Sequence, residues 1–327
     1  MRRLIGPLAF GLAGFLLCAA VLLLTWAPGQ LKRTPTDIKS ETRLSGMGNV
    51  LPTGDAAPVK AISYTKADGE KSDSDVVVFD TFTCLIKDPD GTAPDCVDAQ
   101  DPQRRLVNAS TDRFATDRRV ATSVNETKYT GNSPAHEGVV NKLPFDVEKK
   151  TYPYWDGLLG RAVDLTYEGT ERVSGLETYK FRAVSQDEPA EIAKGIQGTY
   201  SSDKTIWVDP VTGSFINQRE KQVRKTDTGQ TVLDLDFGFT DETVAKNVKD
   251  AKANGSRLGM LGTLPWILGA LGLVSLAVGI VAWMAGRGET VPARRRETYD
   301  STDDIFGDPD DLAADTTTRS RSDLHRR

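Results

Sequence analysis

Few side chains in this sequence are of the types that carry out catalysis. The histidines are His136 and His325, and none of the motifs HExxH, GxSxG, CxxC or the phosphate-binding GxxxxGK[ST] occurs. His136 stands in the proline- and glycine-containing segment 133–138, which predicts a solvated loop residue rather than a ligand or a base. Carboxylates are plentiful, but the sequence singles out no pair for glycosidase chemistry. We therefore predict no catalytic residue, no metal site and no cofactor.

Two cysteines stand where a disulfide is expected. Cys84 and Cys96 enclose a connector rich in aspartate, proline and glycine. An even pair across such a turn favours a disulfide formed in an oxidising compartment. The alternatives are two free thiols, or two ligands of a metal whose other ligands are missing. Cys18 lies inside an apolar run, and Leu17 before it does not suit a lipoprotein motif, so a lipid-facing or packed thiol is expected there.

Aromatic side chains are densest at Tyr152, Tyr154 and Trp155. Aromatic rings stack on sugars or line the entrance to a lipid site, and they also form ordinary cores. These three are the candidate ligand contacts. A basic stretch between residues 111 and 128 either attracts anionic head groups or forms a solvated strand face, and the second reading is favoured. Its members are Arg113, Arg118, Arg119 and Lys128.

Two long apolar segments, one near each end of the chain, flank the polar middle of the sequence. Residues 4–27 and 258–286 contain no charged side chain, and each exceeds the roughly 20 apolar residues that an α-helix needs to cross a bilayer. The first is too long for the apolar part of a signal peptide and has no small-residue cleavage site, so an uncleaved anchor is expected. Small residues recur along both segments, which either lets the helices pack on each other or on a partner, or reflects only the composition of membrane helices. They are Gly6, Ala13, Ala20, Ala27, Gly262, Gly269, Gly272, Gly279 and Gly286.

The distribution of positive charge predicts an orientation. Basic residues lie outside both apolar segments, at Arg2, Arg3, Arg287 and 294–296, although others flank the inner ends. The positive-inside bias places both termini in the cytoplasm. The expected boundaries are a cytoplasmic N-terminus at 1–3, a transmembrane helix at 4–28, an extended linker at 29–57, an extracytoplasmic β-rich domain at 58–240, a helical stalk at 241–257, a transmembrane helix at 258–286 and a disordered cytoplasmic tail at 287–327.

The middle of the chain alternates between strand and turn patterns. In residues 231–240 the apolar side chains of Leu233 and Leu235 share one face, against Asp234 and Asp236 on the other. Strands are likewise expected at 59–65, 75–86, 161–168, 176–185, 200–209 and 215–223. Helices are expected only at 188–195 and 241–252, the second ended by Asn254 and Gly255. The predicted fold class is a mainly β, antiparallel, curled or barrel-like sheet with few helices, between two transmembrane helices.

Three short motifs follow one another along the chain: Tyr154-Trp155-Asp156, Gly175-Leu176-x-Thr178-Tyr179-x-Phe181 and Trp207-Val208-Asp209-Pro210-x-Thr212-Gly213. With an apolar segment at each end, they resemble the actinobacterial two-span envelope proteins of the PorA family over most of residues 1–286. The resemblance implies a domain outside the plasma membrane, in a family associated with envelope lipid and lipoglycan assembly. Charged polar faces make these strands poor candidates for a lipid-facing barrel.

These observations support two functional hypotheses. The first is a non-catalytic protein that binds or transfers an envelope lipid or lipoglycan, in which a curled sheet encloses an apolar cavity near the bilayer. The alternative is a scaffold or accessory subunit that holds membrane proteins of envelope biosynthesis. A glycosyl-acting enzyme is a third class and would need carboxylates clustered in a cleft. The net charge of −5 and the pI near 5.3 argue against a nucleic-acid partner, and the oligomeric state is left open.

Overall fold

A computed structural model describes residues 2–51 and 54–286 of the chain. The predicted cytoplasmic tail, with His325, lies outside these residues. The helices are α1 (Arg2–Thr25), α2 (Ala27–Leu31), α3 (Thr127–Thr130) and α4 (Asp241–Gly286). The strands are β1 (Lys39–Val50), β2 (Ala56–Ala67), β3 (Val76–Lys87), β4 (Leu106–Asp117), β5 (Tyr152–Asp156), β6 (Arg161–Val173), β7 (Leu176–Ala193), β8 (Ile196–Val208), β9 (Phe215–Thr226) and β10 (Thr231–Phe239).

All ten strands form one antiparallel sheet in the order β4-β3-β2-β1-β10-β9-β8-β7-β6-β5. The sheet curls into a half-barrel, which confirms the predicted fold class. Strands that are consecutive in sequence are neighbours in the sheet, except that β4 and β5 lie at its two edges. The pairing of β1 with β10 joins the two ends of the domain. In β10 Leu233 and Leu235 are buried and Asp234 and Asp236 are exposed, as the alternation predicts.

The hairpin turns follow from the turn residues in the sequence. β6 and β7 are joined by Ser174 and Gly175, which both have positive φ, at 47° and 77°. Positive φ at both central residues is the geometry of a type I′ turn, whose twist matches that of the strands it joins. Asp209-Pro210-Val211-Thr212-Gly213 turns between β8 and β9, with Gly213 at φ 75°. A β-carbon at Gly213 would meet the carbonyl oxygens of Leu143 and Pro144, so this turn requires glycine.

The two edges of the half-barrel are linked by the connection between β4 and β5, residues 118–151, which we call the bridging loop. Isolated bridges lead from Thr116 of β4 to Ser123, from Thr122 to Val139, and from Val139 to Tyr154 of β5. Inside the sheet, Val139, Leu143 and Val147 of the loop are buried against the inner faces of β5–β8. The loop therefore closes one end of the sheet and fills it with apolar side chains.

Two regions differ from the sequence prediction. Residues 39–50 of the predicted linker form β1 in the middle of the sheet. Gly46 and Gly48, which suggest a flexible segment in the sequence, stand here because a β-carbon at either position would collide with β10. The predicted helix at 188–195 belongs to β7 and to the turn after it, because its alternation buries Ala190 and Ile192 against Tyr200 of β8.

α4 is continuous from the domain to its end, so the break predicted at Asn254 and Gly255 is wrong. The cost of a glycine in a helix, about 1 kcal/mol, is small beside the packing that holds α4. Its first turns bury Val248 and Ala251 against Ile216 of β9. The stalk and the apolar segment are thus one helix, fixed to the sheet.

α1 and α4 pack on each other along the small residues predicted to allow it. Ala13 and Ala20 of α1 and Ala27 of α2 are buried. A β-carbon at Gly272 or Gly279 of α4 would come within 2.9 Å of Leu17 and 3.2 Å of Phe10, respectively. Gly262 and Gly269 have open space around them instead. By length and composition, residues 6–25 and the apolar part of α4 are each able to cross a membrane.

Candidate functional site

The predicted aromatic contacts lie at the edge of the sheet formed by β5. Tyr152 and Tyr154 point inward and are buried in the core with Leu165 and Phe181. Trp155 is only partly buried and its ring stacks on that of His136, with the ring centres 4.5 Å apart. Ligand contact by these three residues stays a prediction. A ligand could reach the two tyrosines only if the core opened.

His136 is not the solvated loop residue that the sequence suggests. Its side chain is 2% exposed and lies between Phe114 of β4 and Trp155 of β5. Its Nε2 is 2.8 Å from the Asp112 carboxylate and its Nδ1 is 3.0 Å from the Pro134 carbonyl oxygen. The prediction is wrong because proline and glycine show that the segment is a loop, but they do not show that the loop packs between the two edges of the sheet. His136 ties those edges together.

The predicted disulfide between Cys84 and Cys96 is present, with the Cα atoms 5.8 Å apart. It fastens the β3–β4 connection over the convex face of the sheet, where Ile62 and Ile86 are buried beneath it. Asp95 of the same connection accepts two hydrogen bonds from Arg43, at 2.6 and 2.8 Å. The hydrogen-bonded Arg43 guanidinium lowers the pKa of the Asp95 carboxyl.

The basic stretch is divided between structural contacts and solvent. Arg113 forms ion pairs with Asp68 and Asp80, at 2.6 and 2.8 Å. Arg118 donates hydrogen bonds to backbone carbonyl oxygens, among them that of Thr34 at 2.7 Å. Arg119 is exposed at the end of the sheet next to α2. The favoured interpretation, a solvated strand face, is therefore correct only in part, because Arg113 and Arg118 make contacts within the domain.

A buried polar cluster lies on the inner face of β8 and β9. Glu220 accepts hydrogen bonds from Ser202 at 2.9 Å and from Gln222 at 3.0 Å, and it forms an ion pair with Lys204 at 3.2 Å. Tyr200 donates to Asp156 of β5 at 3.2 Å. All of these side chains except that of Lys204, which is 14% exposed, are nearly inaccessible to water.

The electrostatics of this polar cluster keep Lys204 charged. Burial lowers the pKa of Lys204, but the Glu220 carboxylate and the nearby Tyr154 and Tyr200 hydroxyls raise it by more, so it stands well above its ordinary value. Burial, followed by the charge of Glu220, raises the pKa of Tyr200 above its usual range. The sequence reading missed this cluster because alternating polar residues in β8 and β9 look like a solvent-facing side.

Lys142 of the bridging loop is a second sheltered amine. Its Nζ lies 3.6 Å from the ring centre of Phe145 and 3.5 Å from the hydroxyl of Thr34. Burial lowers the pKa of Lys142 to about 7, against an opposing effect of the Asp209 carboxylate. Near neutral pH this side chain therefore exists in both protonation states.

Raising the pH from 7 to 8 is expected to increase the free energy of unfolding by about 1 kcal/mol through Lys142. The sign follows because the amine in the unfolded chain, with its ordinary pKa of 10.5, binds more protons than the folded one above pH 7. Chemical denaturation of the detergent-solubilised chain at both pH values would measure this gain. Lys142→Met should lose it, whereas Lys194→Met, at an exposed turn, should retain it. Equal pH dependence in both variants would contradict the assignment.

Two open clefts stand out among the residues that the structure describes. One, of about 410 Å³, lies on the convex face of β2–β4 and includes Tyr64, Phe82 and Arg113. The other, of about 240 Å³, lies between β7, β8 and β9. Among the described residues, no group of three or more His, Cys, Asp or Glu side chains is arranged to hold a metal ion. The candidate binding sites are therefore open clefts on the surface of the domain, whereas the inner apolar cluster is buried.

The chain is similar to known proteins over most of its length. The family model described as Porin PorA matches residues 5–281. A Porin PorA of Corynebacterium resistens is 22% identical, covering 86% of this chain and 96% of that protein. A Porin PorA of Corynebacterium amycolatum is 21% identical, covering 85% and 98%.

Among solved structures, a DUF1329 family protein from Desulfovibrio piger is 11% identical and covers 72% of this chain and 92% of its own, with a TM-score of 0.19. A TM-score below 0.5 does not establish a common fold, so the family rests on the match over residues 5–281, which confirms the resemblance seen in the sequence motifs. The chain belongs to the Porin PorA family.

Proposed function

We propose that this protein is a non-catalytic, two-pass protein of the cell envelope that binds or transfers an envelope lipid or lipoglycan. In this proposal both termini are cytoplasmic and the β domain lies outside the plasma membrane. Family membership, two helices long enough to cross a bilayer, and a disulfide that suits an oxidising compartment support this placement. The observation that carries the binding proposal is the surface of the domain from which α1 and α2 emerge.

This surface, which we call the base, is made of α2, the parts of the bridging loop around Arg119 and Asp146, and the β8–β9 turn. These segments touch one another: the Thr34 amide donates to the Arg118 carbonyl at 2.7 Å, and the Asp146 amide donates to the Val211 carbonyl at 3.1 Å. Lys32 of the chain after α2 forms an ion pair with Asp146. Three separate segments therefore meet as one continuous surface beside the helices.

The base combines exposed apolar side chains with positive charge. Leu31, Val120 and Val211 are exposed there, and Arg119 lies beside them. Trp26, at the end of α1, is also exposed, at the level where aromatic rings mark a membrane–water boundary. Apolar side chains that reach the acyl boundary, with a cation among the phosphates, are suited to bind a lipid surface.

The outer face of the sheet is suited to water rather than lipid. Arg182 of β7 forms a two-point ion pair with Asp203 of β8, with both contacts at 2.7 Å. Lys221 of β9 faces Asp236 of β10 at 3.6 Å. Such exposed charges are costly on a lipid-facing strand. This supports contact with the membrane through the base and the helices, not through the strands.

The proposal is tested by lipid analysis of the full-length chain purified in nanodiscs. The wild-type chain should retain an envelope lipid or lipoglycan above the bulk phospholipid. The combined variant Leu31→Ser, Val120→Ser, Val211→Ser should lose most of it. The matched control is Met47→Ser, Val184→Ser, Ile196→Ser, which changes three exposed apolar residues away from the base and should leave retention unchanged.

Two outcomes would contradict this function. If the wild-type chain retains only bulk phospholipid, the proposal that it binds an envelope lipid or lipoglycan is wrong. Equal retention by both triple variants would remove the base as its site. If chemical cross-linking in membranes instead traps one stable protein partner on the base, the scaffold alternative replaces this proposal.

A further inference from the structure

The cleft of about 410 Å³ on the convex face of β2, β3 and β4 lies between two covering segments. On one side, the disulfide-bonded connection covers Cys84 and Ile86. On the other side, Val124 and Tyr129 of the bridging loop cover Val76 and Val78. The rows of side chains between these two segments are left open. Ser133 and Pro134 of the bridging loop line one side of the cleft, and Phe82 on the other side packs against the cluster beneath the disulfide-bonded connection.

The floor of the cleft is aromatic. Tyr64 of β2 stands directly opposite Phe82 of β3, which in turn stands opposite Thr111 of β4. Tyr64 is 41% exposed and Phe82 is partly exposed. The row on one side, with Ile62 and Cys84, is buried, and the row on the other side consists of charged residues, so this aromatic pair is left facing the cleft. Its ring faces carry the partial negative charge of their π-systems.

The rim carries fixed hydrogen-bonding groups of both kinds. Arg113 supplies donors and is held in place by Asp68 and Asp80. Asp80 supplies acceptors. Asp112 borders the cleft but lies on the face of β4 opposite to Thr111 and Arg113, where His136 holds it at 2.8 Å. Thr111 adds a hydroxyl that can both donate and accept. Because ion pairs fix these groups before any ligand arrives, little conformational entropy is lost on binding.

We propose that this cleft binds a neutral oligosaccharide segment. The C–H-bearing face of a sugar ring is apolar with a weak positive charge, which complements the exposed rings of Tyr64 and Phe82. Sugar hydroxyls need donors and acceptors side by side, which Arg113 and Asp80 provide. The Asp80 carboxylate opposes an anionic polymer, and a volume of about 410 Å³ is within the range of small-ligand sites.

This inference refines the proposed function, because the bound sugar would be the glycan part of an envelope lipoglycan. The cleft is separate from the base, so its occupation does not require the apolar residues there. His136 links the cleft to the seam between the sheet edges through Asp112. Sugar binding should therefore shift the NMR signals of Trp155 as well as those of Tyr64.

The experiment titrates the full-length chain in nanodiscs with a panel of neutral tetrasaccharides of glucose, mannose, galactose and arabinose, followed by calorimetry and NMR. At least one of them should bind, with dissociation constants in the millimolar range or below. Tyr64→Ala should weaken this binding by roughly tenfold or more. Thr111→Trp, which fills the cleft from an exposed edge position, should block it without removing a floor residue.

Met47→Ala is the matched control, because Met47 is a similarly exposed side chain on the same face of β1, and it should bind as the wild type does. No binding by any tetrasaccharide, or equal binding by all variants, would overturn the proposal, as would preferential binding of sulfated dextran. The two proposals fail separately. Thr111→Trp should retain lipid at the base, and the triple variant of the base should still bind the sugar.

Discussion

Replacing Glu220 with alanine is expected to lower the free energy of unfolding by about 3–5 kcal/mol, the largest effect of any single substitution proposed for this domain. The Lys204 ammonium would stay buried inside the half-barrel without its counterion at 3.2 Å. Ser202 and Gln222 would lose their acceptor at the same time. Denaturant unfolding of the detergent-solubilised chain, followed by tryptophan fluorescence, would measure the loss.

The double variant Glu220→Leu, Lys204→Met tests whether the destabilisation comes from the unpaired charge or from the lost side-chain volume. Buried ion pairs replaced by well-packed apolar side chains are often neutral or stabilising, so the double variant should recover most of the loss. Glu70→Ala, at an exposed turn, is the matched control and should change stability by no more than about 0.5 kcal/mol. If Glu220→Ala behaves like this control, Lys204 is not held by that carboxylate.

Removing the disulfide is expected to lower the free energy of unfolding by about 3 kcal/mol, because the unfolded chain then gains the conformational freedom that the bridge denies it. Cys84 and Cys96 are 12 positions apart, so the bridge closes a short loop. The bridge also holds the cover over Ile62 and Ile86. Cys84→Ala combined with Cys96→Ala would be compared with the wild type by thermal unfolding, with and without a reductant.

Cys18→Ala supplies the matched control, because Cys18 is a free thiol in α1 and should not affect the domain. The reductant should destabilise the wild type and the Cys18 variant equally, and it should leave the double variant unchanged. Phe82 of the proposed sugar cleft packs against the same buried cluster as Cys96. Removal of the disulfide is therefore expected to weaken tetrasaccharide binding as well as stability. Thiol labelling of Cys84 in unreduced protein would contradict the assignment.

Most strands could be located from the sequence because a strand needs only a local pattern. Residues 231–240 alternate so regularly that Leu233 and Leu235 were placed on one face correctly. The small residues of α1 made contact with α4 one of the possibilities that the sequence left open, since close approach of two helices requires the absence of large side chains. The cysteine pair was equally readable, because the short spacing between the two limits what they can do.

The same local pattern failed wherever the partner of a segment decided its structure. The glycines of β1 look like linker residues, yet they are required by the strand β10, which lies almost two hundred residues later in the chain. Residues 188–195 look helical until they pair with β8. The composition of a single segment does not show with which distant segment it pairs.

The mainly β fold, the two apolar helices, the disulfide and the family could all be read from the amino-acid order, because each depends on residues close together in the chain or on short motifs in a fixed sequence. Which face of each strand turns inward became known only from the folded domain. A period of two residues shows which side chains share a face but not which face is buried. The curl of the sheet encloses Lys204 and Glu220, leaves Tyr64 and Phe82 outside, and brings His136 between β4 and β5.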